Sequence, residues 1–338
     1  MGRILITGAS GFVGANLATS LTRHGHALWA LDRAPATAVP QPSAPTFARH
    51  FTWERLDEIP WHELDAVVHL AGKAHDTQNS SDPQSYFTIN AGLTERITQR
   101  LLATEFAQPV RFLLFSSVKA VADSGEGVLT EATEPAPLTP YGQSKLAAEK
   151  IVLAAAAAHP RRLASYILRP CMIHGPGNKG NLNLLYNLAR KGIPWPLGAF
   201  DNRRSFVSIG NVGAVVEALL SGSPAPGVYQ LADDEAISTN ELIALIAQTL
   251  GRQPRIMKLP ASGVRLIARL GDRVGLPLNS ERLQKLTESY VVANLKIKQT
   301  LGWHAMPIST RDGLRQTLAS FAIPVAGARP PVTQPPEA

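Results

Sequence analysis

The sequence predicts an α/β fold, a doubly wound parallel sheet with a smaller, mostly helical C-terminal lobe. Three observations predict it. Short apolar runs alternate with helix-length segments through the first half of the chain. The first run ends in a glycine turn, "ITGASGFVG", which opens directly into a helical pattern. The second half loses the alternation and reads mainly as helices.

Taken in order, the strands are "RILIT" (3–7), "ALWALD" (27–32), "AVVHLA" (66–71), "RFLLFSS" (111–117) and "ASYILRP" (164–170), with helical patterns near 12–24, 83–105 and 140–159. Strands separated by helices pair in parallel, and the helices cover both faces of the sheet. A further strand after 27–32 is weakly marked. "TFARHF" (46–51) is the best match, and Pro35, Pro40, Pro42 and Pro45 make the segment before it a loop. Beyond 170 the pattern reads as a helix near 181–191, a strand "RSFVSI" (204–209), a short helix (211–221) and a strand "GVYQLA" (227–232). Helices follow near 239–250, 261–273 and 280–288. Leu242, Ile243, Leu245, Ile246 and Leu250 recur at helical spacing and are assigned to core. The tail 324–338 is rich in Pro and Ala with little to bury, and is expected to be disordered.

Composition bounds the function. The 338 residues are 45% hydrophobic and 17% charged, as in a soluble globular protein. No apolar run reaches the ~18 residues of a membrane span, and no secretion signal is read at the N-terminus. Cys171 is the single cysteine, read as a small buried hydrophobe. It supports a cytoplasmic location. The net charge is +7, yet the basic residues read as no more than pairs, Arg161-Arg162 and Arg203-Arg204, with no basic amphipathic helix. Neither nucleic acid nor a membrane is therefore expected as a partner. The nine histidines lack metal-ligand spacing, so no metal site is expected.

The glycine turn carries the first chemistry. Gly8, Gly11 and Gly14 follow a strand and open a helix. Gly8 permits the tight turn, Gly11 lets the backbone approach a pyrophosphate, and Gly14 lets the helix pack on the strand. The diphosphate then lies at a helix N-terminus, where free N–H groups and the dipole favour an anion. The second strand ends in Asp32, eighteen residues past Gly14, placed to bind a ribose 2′-OH. This favours NAD; the neighbouring Arg33 could hold a 2′-phosphate and keeps NADP open. Residues 1–170 are thus read as a Rossmann-type dinucleotide domain, with a returning segment at about 204–232. Residues 171–203 and 233–323 are read as a substrate lobe.

"YGQSK" (141–145) places Tyr141 and Lys145 one helical turn apart, on one face. Alone, this is also what a solvated helix face looks like. With the glycine turn, Asp32, "HLAGKA" (69–74), Asn90, "FSS" (115–117), "LRPCMIHGPG" (168–177), "RRSFVSIGNV" (203–212) and "LGW" (301–303), the chain resembles the extended short-chain dehydrogenase/reductase superfamily, within its NAD-dependent nucleotide-sugar epimerase/dehydratase branch. The resemblance runs from Gly8 to about Trp303.

The resemblance implies that Tyr141 is a general acid/base, with Lys145 lowering its pKa toward neutrality and holding the cofactor ribose. It implies a hydroxyl beside them: Ser117, 24 residues before Tyr141, fits best, with Ser116 the fallback on the cofactor side. The cofactor contacts implied are Gly8, Ser10, Gly11, Phe12, Val13, Gly14, Asp32, Arg33, Leu70, Ala71, Gly72, Lys73, Asn90, Ser116, Tyr141, Lys145 and Pro170. Lys73 is equally readable as a solvated lysine. Those implied for a UDP-sugar are Ser117, Asn181, Arg204 and Arg282; Asn181 also reads as a helix N-cap. His174 stands where the family usually has Tyr.

Dehydratases of the branch carry an Asp-Glu pair where this chain has Val118 and Lys119, which cannot perform that elimination. "SSVK" resembles a bacterial subgroup of UDP-hexose 4-epimerases and 4-ketoreductases in surface-polysaccharide synthesis. The resemblance favours the epimerase and leaves open the reductase and, more remotely, a non-catalytic dinucleotide sensor. Family dimers through two helices make a homodimer through 83–105 and 140–159 an open expectation, beside a monomer.

Overall fold

A computed structural model of the chain describes residues 1–33, 47–73, 82–125, 127–178, 181–274 and 279–322. The side chains at 181, 273, 274, 281, 282, 285 and 322 lie outside that description. So do residues 34–46, expected from the sequence to hold a proline-rich loop, and residues 323–338, expected to be a disordered tail.

The central sheet contains β1 (Arg3–Thr7), β2 (Ala27–Asp32), β3 (Arg49–Thr52), β4 (Ala66–His69), β5 (Val110–Phe115), β7 (Leu163–Pro170) and β10 (Gly227–Leu231), with the two-residue β6 (Val128–Leu129) outside it. The strands pair in parallel in the order β10-β7-β5-β4-β1-β2-β3, so β1 lies between β2 and β4 where the winding reverses. This is the Rossmann-type order that opens a crevice at the carboxyl ends of the strands.

The strands read as unbroken apolar runs because both faces are covered. On one face Ile4, Ile6, Leu28, Val68, Leu113 and Leu168 pack under α1 (Phe12–Arg23) and α6 (Ile209–Ser221) through Leu17, Leu21, Val212 and Val216. On the other, Leu5, Leu31, Val67, Phe112 and Ile167 meet Ile97 and Leu101 of α3 (Gly92–Ala103) and Ala148 and Val152 of α4 (Pro140–Ala158). Each of these Val, Leu, Ile and Phe side chains contributes about 1.5–3 kcal/mol by leaving water.

The helix expected over 83–105 is not continuous. α2 (Pro83–Tyr86) and α3 are joined by a π-helical turn at Phe87–Ala91. An extra residue per turn rotates the face that follows, and such turns recur at functional sites.

The C-terminal lobe has its own core. Leu182 and Tyr186 of α5 (Asn181–Arg190), Leu242, Leu245 and Ile246 of α7 (Thr239–Thr249), and Val264 of α8 (Ala261–Val274) pack with Leu283 of α9 (Ser280–Thr287). β8 (Met172–His174) pairs with β9 (Phe206–Ser208), and β11 (Val291–Val292) pairs with β6. Two helices went unread in the sequence, α10 (Leu295–Leu301) and α11 (Thr310–Ala322). α11 brings Leu314 and Leu318, both fully buried, into the lobe core. The sequence reading also held no basic amphipathic helix, whereas α8 is one: it exposes Leu266, Ile267 and Leu270 as well as Arg265 and Arg269. Among the described residues, no helix is long and apolar enough to cross a membrane.

Candidate active site

The site is built at the carboxyl ends of β1, β2, β4, β5 and β7. Gly8 takes φ +70°, and a Cβ there would lie 2.9 Å from the Ala71 nitrogen. A Cβ on Gly14 would meet the Gly8 and Ala9 carbonyl oxygens at 2.5 and 2.7 Å, so only glycine lets α1 start this close to β1. Gly11 is the N-cap of α1, and no side chain caps that end. The orphan N–H groups and open backbone there suit a diphosphate. Asp32 accepts hydrogen bonds from the Ser10 nitrogen (3.2 Å) and Ser10 Oγ (2.9 Å), which fixes its carboxylate over the turn. Phe12 packs beside Gly175 and Gly177, Val13 packs on the core, and Arg33 is exposed.

The loop after β4, Leu70–Lys73, is held from both sides. Thr7 Oγ1 accepts from the Ala71 nitrogen (3.0 Å), and Asn90 Oδ1 accepts from the Lys73 nitrogen (2.7 Å). Asn90 Nδ2 donates to Ser144 Oγ (2.9 Å), so Asn90, on the π-helical turn, clamps this loop to α4. A Cβ on Gly72 would lie 2.8 Å from Asn90 Oδ1 and 3.2 Å from Lys145 Nζ. Lys73 is turned to Ser85 Oγ (2.6 Å) and the Tyr86 ring (4.9 Å), neither to open solvent nor toward the glycine turn.

Behind the loop lies His69, fully buried. Its Nε2–H faces Thr94 Oγ1 (3.1 Å), whose own hydroxyl donates to the Asn90 oxygen. Its Nδ1 meets Thr7 Oγ1 (2.7 Å). These partners satisfy a neutral imidazole. Burial, with Lys145 nearby, drives its pKa down to about 3.

Of the two serines past β5, Ser117 lines the same cleft as Tyr141 and hydrogen-bonds the phenol. The Ser116 hydroxyl is committed to Glu149, which also pairs with Arg169 through Nε (2.9 Å) and Nη2 (2.6 Å) in the interior. Tyr141 enters the cleft at the first turn of α4. Thr139 caps that helix by accepting from the Gly142 nitrogen (3.2 Å), and Pro140 follows at the favoured first position. Asp123 ties the same end to the loop after β5, accepting from the Leu138 and Thr139 nitrogens (2.6 and 3.0 Å) and Thr139 Oγ1 (2.8 Å). A Cβ on Gly142 would sit 2.4 Å from the Lys119 oxygen, so glycine is what brings Tyr141 up to Ser117.

Lys145, buried one turn on, donates to the Phe115 oxygen (2.9 Å). Burial lowers its pKa to about 8 against the raising field of Glu149. The expected fall of the Tyr141 pKa is not what the protein's own groups produce. Burial pushes the phenol up, the Ser117 hydrogen bond opposes this, and Tyr86 adds to the rise. Composition and spacing reveal neighbouring charges but not desolvation, which dominates here.

The cleft in front of Tyr141 measures about 580 Å³. Pro170, Cys171, Met172, Arg204, Gln284, Glu288 and Tyr290 line it as well, with Arg204 and Tyr290 on neighbouring bridged segments. Arg204 is partly buried, which lowers its pKa while Glu288 raises it. Arg203 turns away to Glu241 (3.3 Å). The side chains of Asn181 and Arg282 lie outside the described residues. His174 is buried behind the cleft against Thr317 (2.8 Å) and near Asp233 (3.7 Å). Among the described residues, no cluster of His, Cys, Asp and Glu could hold a metal.

Sequence reasoning missed Asp123, Gly142, Gln284, Glu288 and Tyr290. Thr139-Pro140 ahead of a helical pattern was a readable cap signal. Nothing local marks Tyr290, which reaches the cleft through β11.

A Rossmann-type sheet with a glycine turn, an acidic residue ending β2, and Ser, Tyr and Lys around one cleft defines a dinucleotide-dependent enzyme acting on a hydroxyl or carbonyl. The chain belongs to the NAD dependent epimerase/dehydratase family, whose model matches residues 4–232. It is 31% identical to a UDP-glucose 4-epimerase of Vibrio cholerae, over 94% of this chain and 95% of that one. It is also 31% identical to a GDP-6-deoxy-D-mannose reductase of Pseudomonas aeruginosa, over 77% and 84%. Among solved structures, MoeE5 in complex with UDP-glucuronic acid and NAD superposes with a TM-score of 0.71 at 24% identity, over 95% and 99% of the two chains. The chain is thus an enzyme of the nucleotide-sugar epimerase or reductase kind.

Proposed function

We propose that the chain is a UDP-hexose 4-epimerase acting on UDP-glucose or UDP-N-acetylglucosamine, in the synthesis of sugar nucleotides for surface polysaccharides. The observation that carries this reading is one cleft lined by Ser117, Tyr141 and Arg204, with Lys145 one helical turn behind the tyrosine. The uncapped N-terminus of α1 at Gly11, with Ser10, Phe12 and Val13, would hold the diphosphate of NAD. Asp32 would hold a ribose, and Lys145 with the Leu70–Lys73 loop the other half. Bound NAD supplies the chemistry of taking a hydride from the sugar C4 and giving it back.

The chain's own groups do the rest. Tyr141 takes the proton from the C4 hydroxyl and later returns it. Ser117 holds the same sugar oxygen and, by hydrogen-bonding the phenol, opposes the rise that burial imposes on it. Lys145, its pKa at about 8, is mostly cationic at neutral pH and adds positive charge behind the tyrosine. Arg204 would grip the UDP diphosphate, since a guanidinium fork matches two phosphate oxygens. The sugar can then turn over while its diphosphate stays anchored. Val118 and Lys119 leave the cleft without the carboxylates an elimination needs at that place.

The test is a proton NMR time course of purified protein with UDP-glucose and UDP-N-acetylglucosamine, no cofactor added. The expected result is a new anomeric signal of the galacto sugar. Unchanged spectra from folded protein sink the epimerase and move the assignment to the second reading, an NAD(P)H-dependent reductase of a UDP-4-keto-6-deoxy-hexose. A reductase relative, 31% identical over 77% of this chain against 94% for the epimerase relative, supports that alternative, and 4-keto-6-deoxy substrates with added reduced cofactor test it. The same reading carries a homodimer through α3 and α4; a monomer mass by light scattering rejects it.

A further inference from the structure

α8 has three faces, and the apolar one formed by Leu266, Ile267 and Leu270 is exposed. At about 100° per residue, Val264 and Ala268 fall on one side and are 3% and 1% exposed. Leu266, Ile267 and Leu270 fall together in an arc of about 100° on another, and are 59%, 50% and 49% exposed. Arg265 and Arg269, both exposed, fill the arc between these two. α7 in the same lobe behaves differently: Leu242, Ile243, Leu245 and Ile246 are all at most 4% exposed.

The charge is concentrated here as well. α8 itself holds Arg265, Arg269 and Arg273 against one Asp, and Arg252, Arg255 and Lys258 precede it in the chain. The one carboxylate, Asp272, is bound by the Ser280 nitrogen (2.9 Å) and hydroxyl (2.6 Å), at the end of the helix.

We infer that α8 is a membrane-docking helix, which lays Leu266, Ile267 and Leu270 into the interface of a bilayer carrying anionic lipids. This inference goes beyond the catalytic reading and does not depend on it. An apolar stripe flanked by arginines matches the two halves of such a surface: acyl boundary for the stripe, headgroup phosphates for the guanidinium groups. Arg265 and Arg269 are both exposed, and the Arg265 guanidinium lies over the Phe200 ring at 5.9 Å, at the border between the lobe and the apolar stripe. A second copy of the chain is the poorer occupant, because two-fold pairing of this face sets Arg265 and Arg269 near their own copies. α8 packs on α9, and α9 lends Gln284 to the cleft wall. Docking through α8 holds the active site beside the bilayer surface. The sequence reading expected no membrane partner; among the described residues no helix is long and apolar enough to cross a membrane, and α8 would lie on the surface instead.

Sedimentation of the full chain with phosphatidylcholine vesicles, with and without phosphatidylglycerol, tests this. Binding should be at least about ten-fold tighter to the anionic vesicles and should weaken as salt rises. The triple variant Leu266→Gln, Ile267→Gln, Leu270→Gln and the double variant Arg265→Gln, Arg269→Gln should each lose at least about ten-fold in binding, with turnover and Tm held. Failure to bind anionic vesicles at low salt overturns the inference. So does binding that either variant leaves intact, or a lipid-free dimer that the apolar substitutions dissociate.

Discussion

Tyr141 packs edge-on to Tyr86, ring centroids 6.1 Å apart, so Tyr141→Phe keeps that contact and removes only the hydroxyl. Loss of a general acid/base costs about 10²–10⁴-fold in turnover. Turnover of the variant should fall by that range while NAD binding, read by calorimetry, stays unchanged; unchanged turnover would take Tyr141 out of the mechanism. His69 supports the neighbouring loop as a neutral ring, and this makes stability depend on pH. Its folded pKa, about 3, lies below the ordinary value of 6.5. As pH falls below about 6.5 the unfolded chain takes up a proton that the folded chain refuses until about pH 3. Stability is therefore full above the upper value and lost progressively toward the lower one, by up to about 5 kcal/mol. Urea unfolding at a series of pH values should show His69→Gln less stable at neutral pH but with a shallower loss in acid. A loss as steep as in the parent chain would assign the titration to other groups.

At the scale of elements, the site depends on how closely α4 approaches the loop after β5. Gly142→Ala puts a Cβ 2.4 Å from the Lys119 oxygen, so the start of α4 must move and take Tyr141 away from Ser117. A displacement of about 1 Å costs roughly 10²-fold in rate; kcat should drop with NAD affinity held, and a normal kcat would show that the loop yields instead. The sequence displays Gly142 inside "YGQSK" but not its opposing carbonyl, which belongs to a residue 23 positions upstream. That difference divides the legible from the illegible generally. The strands and the glycine turn were readable because burial on both faces leaves a continuous apolar run and because Gly8 and Gly14 answer to local contacts. The break between α2 and α3 was not, since no proline marks it in "SYFTINAGL" and the turn is bound up with the Asn90 clamp across to α4. Ser117 could be picked over Ser116 by spacing, yet the reason Ser116 is engaged elsewhere, the buried Glu149–Arg169 pair, joins three separate elements.

Over the whole molecule, α11 is the strap that the sequence hid. Gly313 interrupts its apolar pattern, and the structure supplies the reason: a Cβ there would come within 2.8 Å of Ser208 Cβ. Around that contact Thr317 meets His174, the Phe321 ring meets Tyr186 at 5.3 Å, and Arg311 pairs with Glu235 and Glu241 (both 3.1 Å). The segment before it returns as well, with the Ile308 nitrogen donating to Asn211 Oδ1 (2.9 Å) on α6. α11 thus touches β8, β9, α5 and α7, and through them the walls that carry Met172 and Arg204. Family resemblance ended near Trp303, but the folding unit does not. Removing 304–338 should leave a chain that does not fold, because Leu314 and Leu318 vacate the lobe core. Removing 323–338 alone should leave Tm and turnover as they are, since that stretch is Pro- and Ala-rich with little to bury. Because a truncation can fail for reasons other than packing, Leu318→Ala is the sharper probe: the cavity should cost about 2–5 kcal/mol in urea unfolding. A loss under about 1 kcal/mol, the scale of a partly exposed site, would mean that α11 lies on the lobe without holding it together.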